Sequence, residues 1–444
     1  MMRAREPLPW ALGVLVGFTL AVLFKYALLT DSYNVWGAFL VIPAIVLLNL
    51  VVIYSLVDRT AHPAFSRLLE LALAVRLTGA LARYAMAYVF YGGAADAERY
   101  NLYAAGRYIL WREGYVVWDW GGKQGTQWME LITTAVYTVI GPSPLAAFLV
   151  FASFSFWGSY LIYRAFVIAV PDGDHRQFAL LVFFLPSLNF WASSIGKEAW
   201  LMFFIGCTAY GAARFFTSRP WGLTLLALGA VGTALIRPHL SVLLFAALVV
   251  AQLLRPARTQ TGGNLAKLAA LALLAGAGWI LVTQSAQFLG IDDFSYQAIA
   301  DSVTTASDQA SESGSTFTPV SLSNPLGVPM AFVTILFRPF VFETRNPAML
   351  IQSIEGMVVL YLLIRFRPRL RPLLRLLRTN PFVLFSALFV LNFTIAFAGF
   401  GNFGILARQR VLMLPFFLMM LALPIGREPD PVASPEWQRA HARA

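Results

Sequence analysis

The stretch WGAFLVIPAIVLLNLVVIYSLV, residues 36–57, carries no charged side chain and is bounded by Asp58 and Arg59. As a helix it rises about 33 Å at 1.5 Å per residue, enough to cross a hydrocarbon core of about 30 Å. A run of that length with no polar face has no side to offer to water, so it reads as a membrane span rather than as the core helix of a soluble protein. Working outward from it, comparable apolar runs lie near 9–29, 68–91, 145–167, 177–193, 198–215, 221–236, 240–254, 266–284, 347–366, 381–400 and 411–426, which with 36–57 makes twelve. Several are short, as spans are where the bilayer thins. The expected class is therefore an all-α polytopic integral membrane protein of about 12 transmembrane helices, with interfacial or re-entrant helices on the outer face.

Composition excludes the main alternatives. Charged residues are 12% and hydrophobic residues 59% of the 444 positions, whereas a soluble domain is about a quarter charged. The single cysteine, Cys207, lies inside an apolar run, which excludes a disulfide framework or a cysteine-built metal site. His62, His175, His239 and His441 are scattered without metal-ligand spacing. The net charge of +11 does not point to nucleic acid, because the arginines sit beside apolar spans, where they set orientation. The first run follows Arg3 and Arg5 but lacks a small-residue cleavage site, so it reads as a retained anchor.

Arg3 and Arg5, Arg59 and Arg67, Arg164 and Arg176, Arg214 and Arg219, and Arg255, Arg258 and Lys267 recur at alternate connections, and Arg365 to Arg378 form the strongest basic loop. These ends are expected to be cytoplasmic, as are both termini, in a bacterial cytoplasmic (inner) membrane. Parity then requires that 126–141 and 328–342 do not cross. They are expected to lie at or dip into the outer face, turning at Gly141-Pro142-Ser143-Pro144 and Arg338-Pro339. The resulting organisation is one transmembrane domain over 1–427, with external loops 92–125 and 285–327, and a disordered cytoplasmic tail over 428–444. The polar stretch Ser307 to Gly314 gives the second loop a mobile tip.

An arginine at the centre of a span costs about 2.5 to 3.5 kcal/mol, so charges in apolar context ask for a reason. Outside the basic loops they fall at the outer ends of spans. Asp96, Arg99, Tyr103 and Arg107 are spaced to share one face of an amphipathic surface helix running to Trp111; Glu98 lies about 200° from Asp96 on that helix. The same segment fits either a surface anchor with solvated ion pairs or a carboxylate presented over a membrane-level cleft. Lys197-Glu198 opens a span after the Ser/Asn-rich turn 187–194, which suits an oxyanion or, equally, a snorkelling lysine. Arg237-Pro238-His239, Arg338-Pro339-Phe340 with Glu343 and Arg345, and Asn402-Phe403-Gly404 with Arg408 and Arg410 are three arginine-bearing turns on the side where few cations are expected. Arginine forks match phosphate oxygens, so together they suggest a polyanionic, lipid-linked substrate. Within the bundle, Arg76, Arg83 and Glu355 read first as structural charges and second as an ion path.

At these residues the sequence resembles bacterial glycan-assembly membrane proteins. Asp96-x-x-x-Tyr100, the segment Met129 to Arg164 with Thr133, Tyr137, Gly141 and Pro142, and then Pro186 to Glu198 resemble GT-C type glycosyltransferases. Arg338-Pro339-Phe340 with Glu343, and Asn402-Phe403-Gly404 with Arg408 and Arg410, resemble Wzy- and EpsG-like polysaccharide polymerases. The resemblance implies transfer or polymerisation of sugars from a polyprenyl (di)phosphate-linked donor at the extracytoplasmic face. Asp96 would be the base or acceptor-organising carboxylate, while Arg99, Tyr100, Arg107, Lys197, Glu198, Arg237, His239, Arg338, Glu343, Arg345, Arg408 and Arg410 would bind substrate. In GT-C enzymes the carboxylate loop follows the first span; here it follows the third. Implied partners are the lipid-linked saccharide, membrane lipids and other envelope glycan-assembly proteins, with no nucleic acid. No cofactor or metal site is expected, and a divalent cation stays open. The rival from another class is a flippase or secondary transporter of lipid-linked saccharide or another anion, which would carry polar groups at mid-membrane on broken helices.

Overall fold

The computed structural model describes residues 7–30, 32–58, 62–93, 95–117, 124–255, 315–320 and 326–425, with isolated positions between 272 and 283 and at 324. Every regular element among them is helical, and an isolated antiparallel bridge joins Thr316 to Asn402. In chain order the helices are α1 (Pro7–Thr30), α2 (Tyr33–Leu56), α3 (Pro63–Ala85) running into a π-helical turn (Met86–Phe90), α4 (Asp96–Ala105), α5 (Tyr108–Arg112), α6 (Gln124–Ile140) and α7 (Pro144–Ala169). There follow α8 (His175–Phe184), α9 (Pro186–Trp191), α10 (Lys197–Phe216), α11 (Gly222–Ile236) and α12 (Pro238–Leu253). The last described helices are α13 (Gly327–Phe337), α14 (Pro347–Arg365), α15 (Leu373–Thr379), α16 (Pro381–Phe397), α17 (Phe403–Arg410) and α18 (Leu414–Met420).

The all-α class is thus what the described residues form, but the number of full-length spans is smaller than the apolar runs suggest. Three described helices, α2, α7 and α10, are long and apolar enough to cross a membrane, or up to five spans if each of two bent pairs counts as one. The reasons are local. The run 177–193 breaks before Pro186 into α8 of 10 residues and α9 of 6. Helices α11 and α12 stop at 15 and 16 residues, on either side of Arg237-Pro238, so each rises only about 23 Å. Helix α3 is long enough but carries Arg67, Glu70, Arg76 and Arg83. The run 266–284 lies largely outside the described residues, as do most of the loop 285–327 and the tail 428–444.

The chain divides into two compact units, one comprising residues up to Trp157 with Asn189–Trp200, the other Gly158–Leu188 with Leu201 onward. In the first, Asn49 of α2, 3% exposed, donates to the Ser153 hydroxyl (3.0 Å) and accepts from the Trp157 indole (2.8 Å), tying α2 to α7. Arg76 of α3, fully buried, donates to the Ser155 hydroxyl at 3.2 Å. The expected breaker between α6 and α7 is real: Gly141 has φ +80° and a Cβ there would fall 2.0 Å from the Tyr33 hydroxyl. Helix α4 returns against α6 after a turn at Gly92 (φ +55°) and Gly93 (φ +87°). The surface helix expected over 96–111 is interrupted at Gly106, which ends α4 before α5 begins.

In the second unit α7 and α10 cross at backbone contact. A Cβ on Gly158 would lie 2.3 Å from the Met202 carbonyl oxygen, and one on Gly206 2.5 Å from that of Gly158. Small residues permit such approach where water exclusion gives no drive to associate. Helix α13 has 11 residues, a rise of about 16 Å, half the core. It ends at Phe337, and the chain turns at Arg338-Pro339 into a 3-10 turn (Val341–Glu343) and then α14. At the opposite end of the same unit, Arg369 pairs with Asp174 and donates to the Leu423 carbonyl, Gln177 donates to that of Leu421, and the Asp174 N–H to that of Ala422.

Candidate functional site

In the second unit the turn after α13 gathers two of the arginine-bearing motifs. The Arg338 Nε donates to both carboxylate oxygens of Glu343, at 3.0 and 3.1 Å, and its Nη2 pairs with the same carboxylate. Glu343 also accepts the Phe340 N–H at 2.8 Å. Partial burial raises the Glu343 pKa, but the Arg338 and Phe340 hydrogen bonds and the guanidinium charge outweigh it and hold the carboxyl below its usual range. The Arg338 guanidinium lies over Phe317 (4.6 Å) and Phe403 (5.2 Å), whose rings stack 4.1 Å apart. Asn402 sets up this arrangement by capping α17: its side chain accepts the Ile405 N–H at 3.1 Å and the Ser315 hydroxyl at 3.1 Å.

Helix α17 then carries Arg410 into the interior, where it is 3% exposed. Its Nη1 donates to the Arg338 carbonyl (3.3 Å) and its Nη2 lies 3.5 Å from Glu355 of α14, whose other carboxylate oxygen accepts the Ser187 N–H at 2.9 Å. The Nε and Nη2 of Arg410 complete no hydrogen bond, nor do the buried Gln352 and Gln409 amide oxygens or the Ser353 hydroxyl. Those two nitrogens form one edge of the guanidinium; its Nη2 faces Glu355 in the ion pair, which leaves Nε as the donor without a partner. Of the other expected residues, Arg345 is exposed, Arg408 is half-buried on α17, and Arg237 and His239 are half-buried at the turn between α11 and α12. The structure therefore joins Arg338, Glu343 and Arg410, while Arg345 stands at the surface.

The remaining expected residues belong to the first unit. Asp96 opens α4 and is exposed, Tyr100 is buried at 2%, and the Arg107 guanidinium lies 3.9 Å over the Tyr103 ring. Arg99 donates to Glu130 of α6 at 2.9 Å. Glu98 is half-buried and accepts from the Asn101 amide at 3.1 Å, and Asn101 in turn accepts from the Tyr137 hydroxyl at 2.6 Å. At the start of α10, Lys197 donates to the Thr126 hydroxyl at 3.2 Å, with Glu198 half-buried beside it. Arg83 of α3 lies over Phe190 and Trp191, at 5.3 and 4.7 Å.

Glu355 beside Arg410, and Glu130 beside Arg99, are not among the residues the sequence singles out as a site. Gln352 and Glu355 did leave a signal, since they are three apart in an otherwise apolar run and so share a helical face. No group of three or more metal-ligating side chains occurs among the described residues. Comparison of the chain with family profiles, characterised proteins and solved structures returns no match.

Proposed function

We propose that this chain is a multi-pass protein of a bacterial cytoplasmic membrane, with about twelve spans and both termini in the cytoplasm, that transfers or polymerises sugars from a polyprenyl (di)phosphate-linked donor at the outer face. One observation carries the reading: the Nε of buried Arg410, without a hydrogen-bond partner, beside a second arginine, Arg338, at the end of a half-length apolar helix. Each arginine already has a carboxylate partner, Glu355 for Arg410 and Glu343 for Arg338, so the pair is tolerated without ligand, yet Arg410 keeps its Nε in reserve. A phosphate group would take that donor as it becomes the leaving group, which is where negative charge grows in glycosyl transfer.

Arg338→Lys and Arg410→Lys keep the charge and remove the planar fork. Losing one charged hydrogen bond of about 1.5 to 3 kcal/mol predicts a donor KM raised, or transfer slowed, by about ten- to hundred-fold. The assay is transfer from a polyprenyl-linked donor by the full-length protein in membranes. Wild-type donor dependence in both variants would remove the phosphate assignment. The two bent helix pairs, 67° at Met349–Arg365 with Arg367–Thr379 and 61° at Phe403–Arg410 with Leu414–Met420, favour the second reading, a flippase or transporter. It predicts movement of lipid-linked saccharide across liposomes with no change in the saccharide.

A further inference from the structure

The segment after α14 in the second unit is strongly basic. Between Glu355 and Glu428 the sequence holds no acidic residue, while Arg365, Arg367, Arg369, Arg371, Arg375 and Arg378 follow one another closely. Helix α14 stops at Arg365, since Pro368 cannot extend it, and the stretch Arg367–Thr379 leaves at 67°. Where α14 crosses the bilayer, a bend of that size lays the stretch along the membrane surface instead of sending it out into water.

The stretch is pinned at both ends. Arg369 pairs with Asp174 and donates to the Leu423 carbonyl at 3.1 Å. Asn380 donates to the Ala169 carbonyl at 2.7 Å, and its side-chain oxygen caps α16 by accepting the Phe382 and Val383 N–H groups at 3.0 and 3.2 Å. Between the pins Leu373, Leu376 and Leu377 are half-buried where α15 packs on α16. Arg371, Leu374, Arg375 and Arg378, spaced i, i+3, i+4 and i+7, share the other face, and all four are exposed, Leu374 at 75%. Those three arginines make no ion pair among the described residues, and Asp174 is already taken by Arg369. In the loop held by the pins, exposed Asp172 is matched by exposed Arg176.

A leucine exposed among arginines suits a membrane interface, where the apolar tip enters the acyl boundary and the guanidinium forks meet phosphodiester oxygens. We propose that the face formed by Arg371, Leu374, Arg375 and Arg378 is a docking site for an anionic phospholipid of the phosphatidylglycerol type. The occupant is a lipid and not a soluble phosphate because Leu374 shares the face with the three cations. The pins at Arg369 and Asn380 present that face ready-formed, which spares the cost of ordering a mobile basic loop on binding. The site requires the chain to lie in a membrane and is independent of the glycosyl-transfer reading.

The test titrates the full-length protein in neutral detergent with phosphatidylglycerol or phosphatidylcholine and counts bound lipid by native mass spectrometry. An arginine near an anionic lipid surface contributes about five-fold in affinity. Combining Arg371→Gln, Arg375→Gln and Arg378→Gln is therefore expected to weaken phosphatidylglycerol binding on the order of a hundred-fold, with phosphatidylcholine binding unchanged. Should the combined variant fail to fold, each single substitution should still show its own loss of about five-fold. Leu374→Asn, which keeps every charge, should weaken phosphatidylglycerol by about ten-fold. Wild-type affinity in the folded arginine variants or in Leu374→Asn overturns the site. So does a loss in Arg219→Gln, an exposed arginine outside this face, as large as in the single variants, since the attraction would then belong to the basic surface at large. Displacement of the lipid by glycerol phosphate at the lipid's own affinity would make this a site for soluble phosphate and overturn the lipid assignment.

Discussion

Replacing Gly158 by alanine places a methyl group 2.3 Å from the Met202 carbonyl oxygen, 2.5 Å from its carbon and 2.7 Å from Phe203 Cα. Real Cβ contacts essentially never fall below 3.0 Å, so α7 and α10 must part by about 0.7 Å, the difference between 3.0 and 2.3. All three contacts are backbone, so no side chain can swing aside. Overpacking of this kind costs about 1 to 3 kcal/mol, and alanine returns about 1 kcal/mol through better helix propensity. The net expectation is a loss centred on about 1 kcal/mol, within about 0 to 2 kcal/mol. The single cysteine makes a convenient reporter, because Cys207 is 2% exposed on α10, next to Gly206 in the same crossing. A thiol-reactive fluorophore should label Gly158→Ala at a lower temperature than wild type. Gly17→Ala, where a Cβ meets nothing within 4 Å, should label at the wild-type temperature or above. A Gly158→Ala protein as heat-stable as wild type would refute the close crossing.

Three further outcomes are expected. The Glu343 carboxyl is held below its ordinary pKa, so its ion pair with Arg338 contributes stability that is fully present above the ordinary glutamate range and lost as pH falls through the folded value; acid unfolding of Glu343→Gln should lack that component, and an unchanged acid transition would dismiss it. Asn49→Leu leaves the Trp157 indole N–H without its acceptor and should lower stability by about 0.6 to 1.7 kcal/mol, read by denaturant titration in detergent. Reporter fusions at Arg371 and Gly314 should report cytoplasm and exterior; if both report one side, the arginine-based orientation is wrong.

What could be read in the sequence was what depends on a short, continuous stretch. Residues 36–57 gave α2 because nothing charged interrupts them, and Arg338-Pro339 marked the end of α13 because proline cannot extend a helix already begun. Gly106 broke the surface helix against the expectation drawn from the spacing of Asp96, Arg99, Tyr103 and Arg107, since helical spacing continues through a glycine while the backbone need not. The pairings were the least legible part. Glu355 was grouped with Arg76 and Arg83 as an intramembrane charge, and it meets Arg410 instead, 55 positions on. Arg99 finds Glu130 on another helix. Charge spacing along one helix predicts faces, but which faces meet is fixed by packing across long sequence separations.

The contacts that close one end of the second unit carry a consequence for the order in which the protein is made. Gln177 donates to the carbonyl of Leu421, 244 residues later, and Arg369 joins Asp174 across a separation of 195. At a synthesis rate of about 5 to 20 residues per second, α8 leaves the ribosome roughly 12 to 50 seconds before its partner carbonyl exists. During that interval the amide of Gln177 and the carboxylate of Asp174 have no native partners at the chain's far end. Stalled or shortened chains that stop before Leu421 would therefore be held open at this end, recognisable to quality control by the same groups that later lock it.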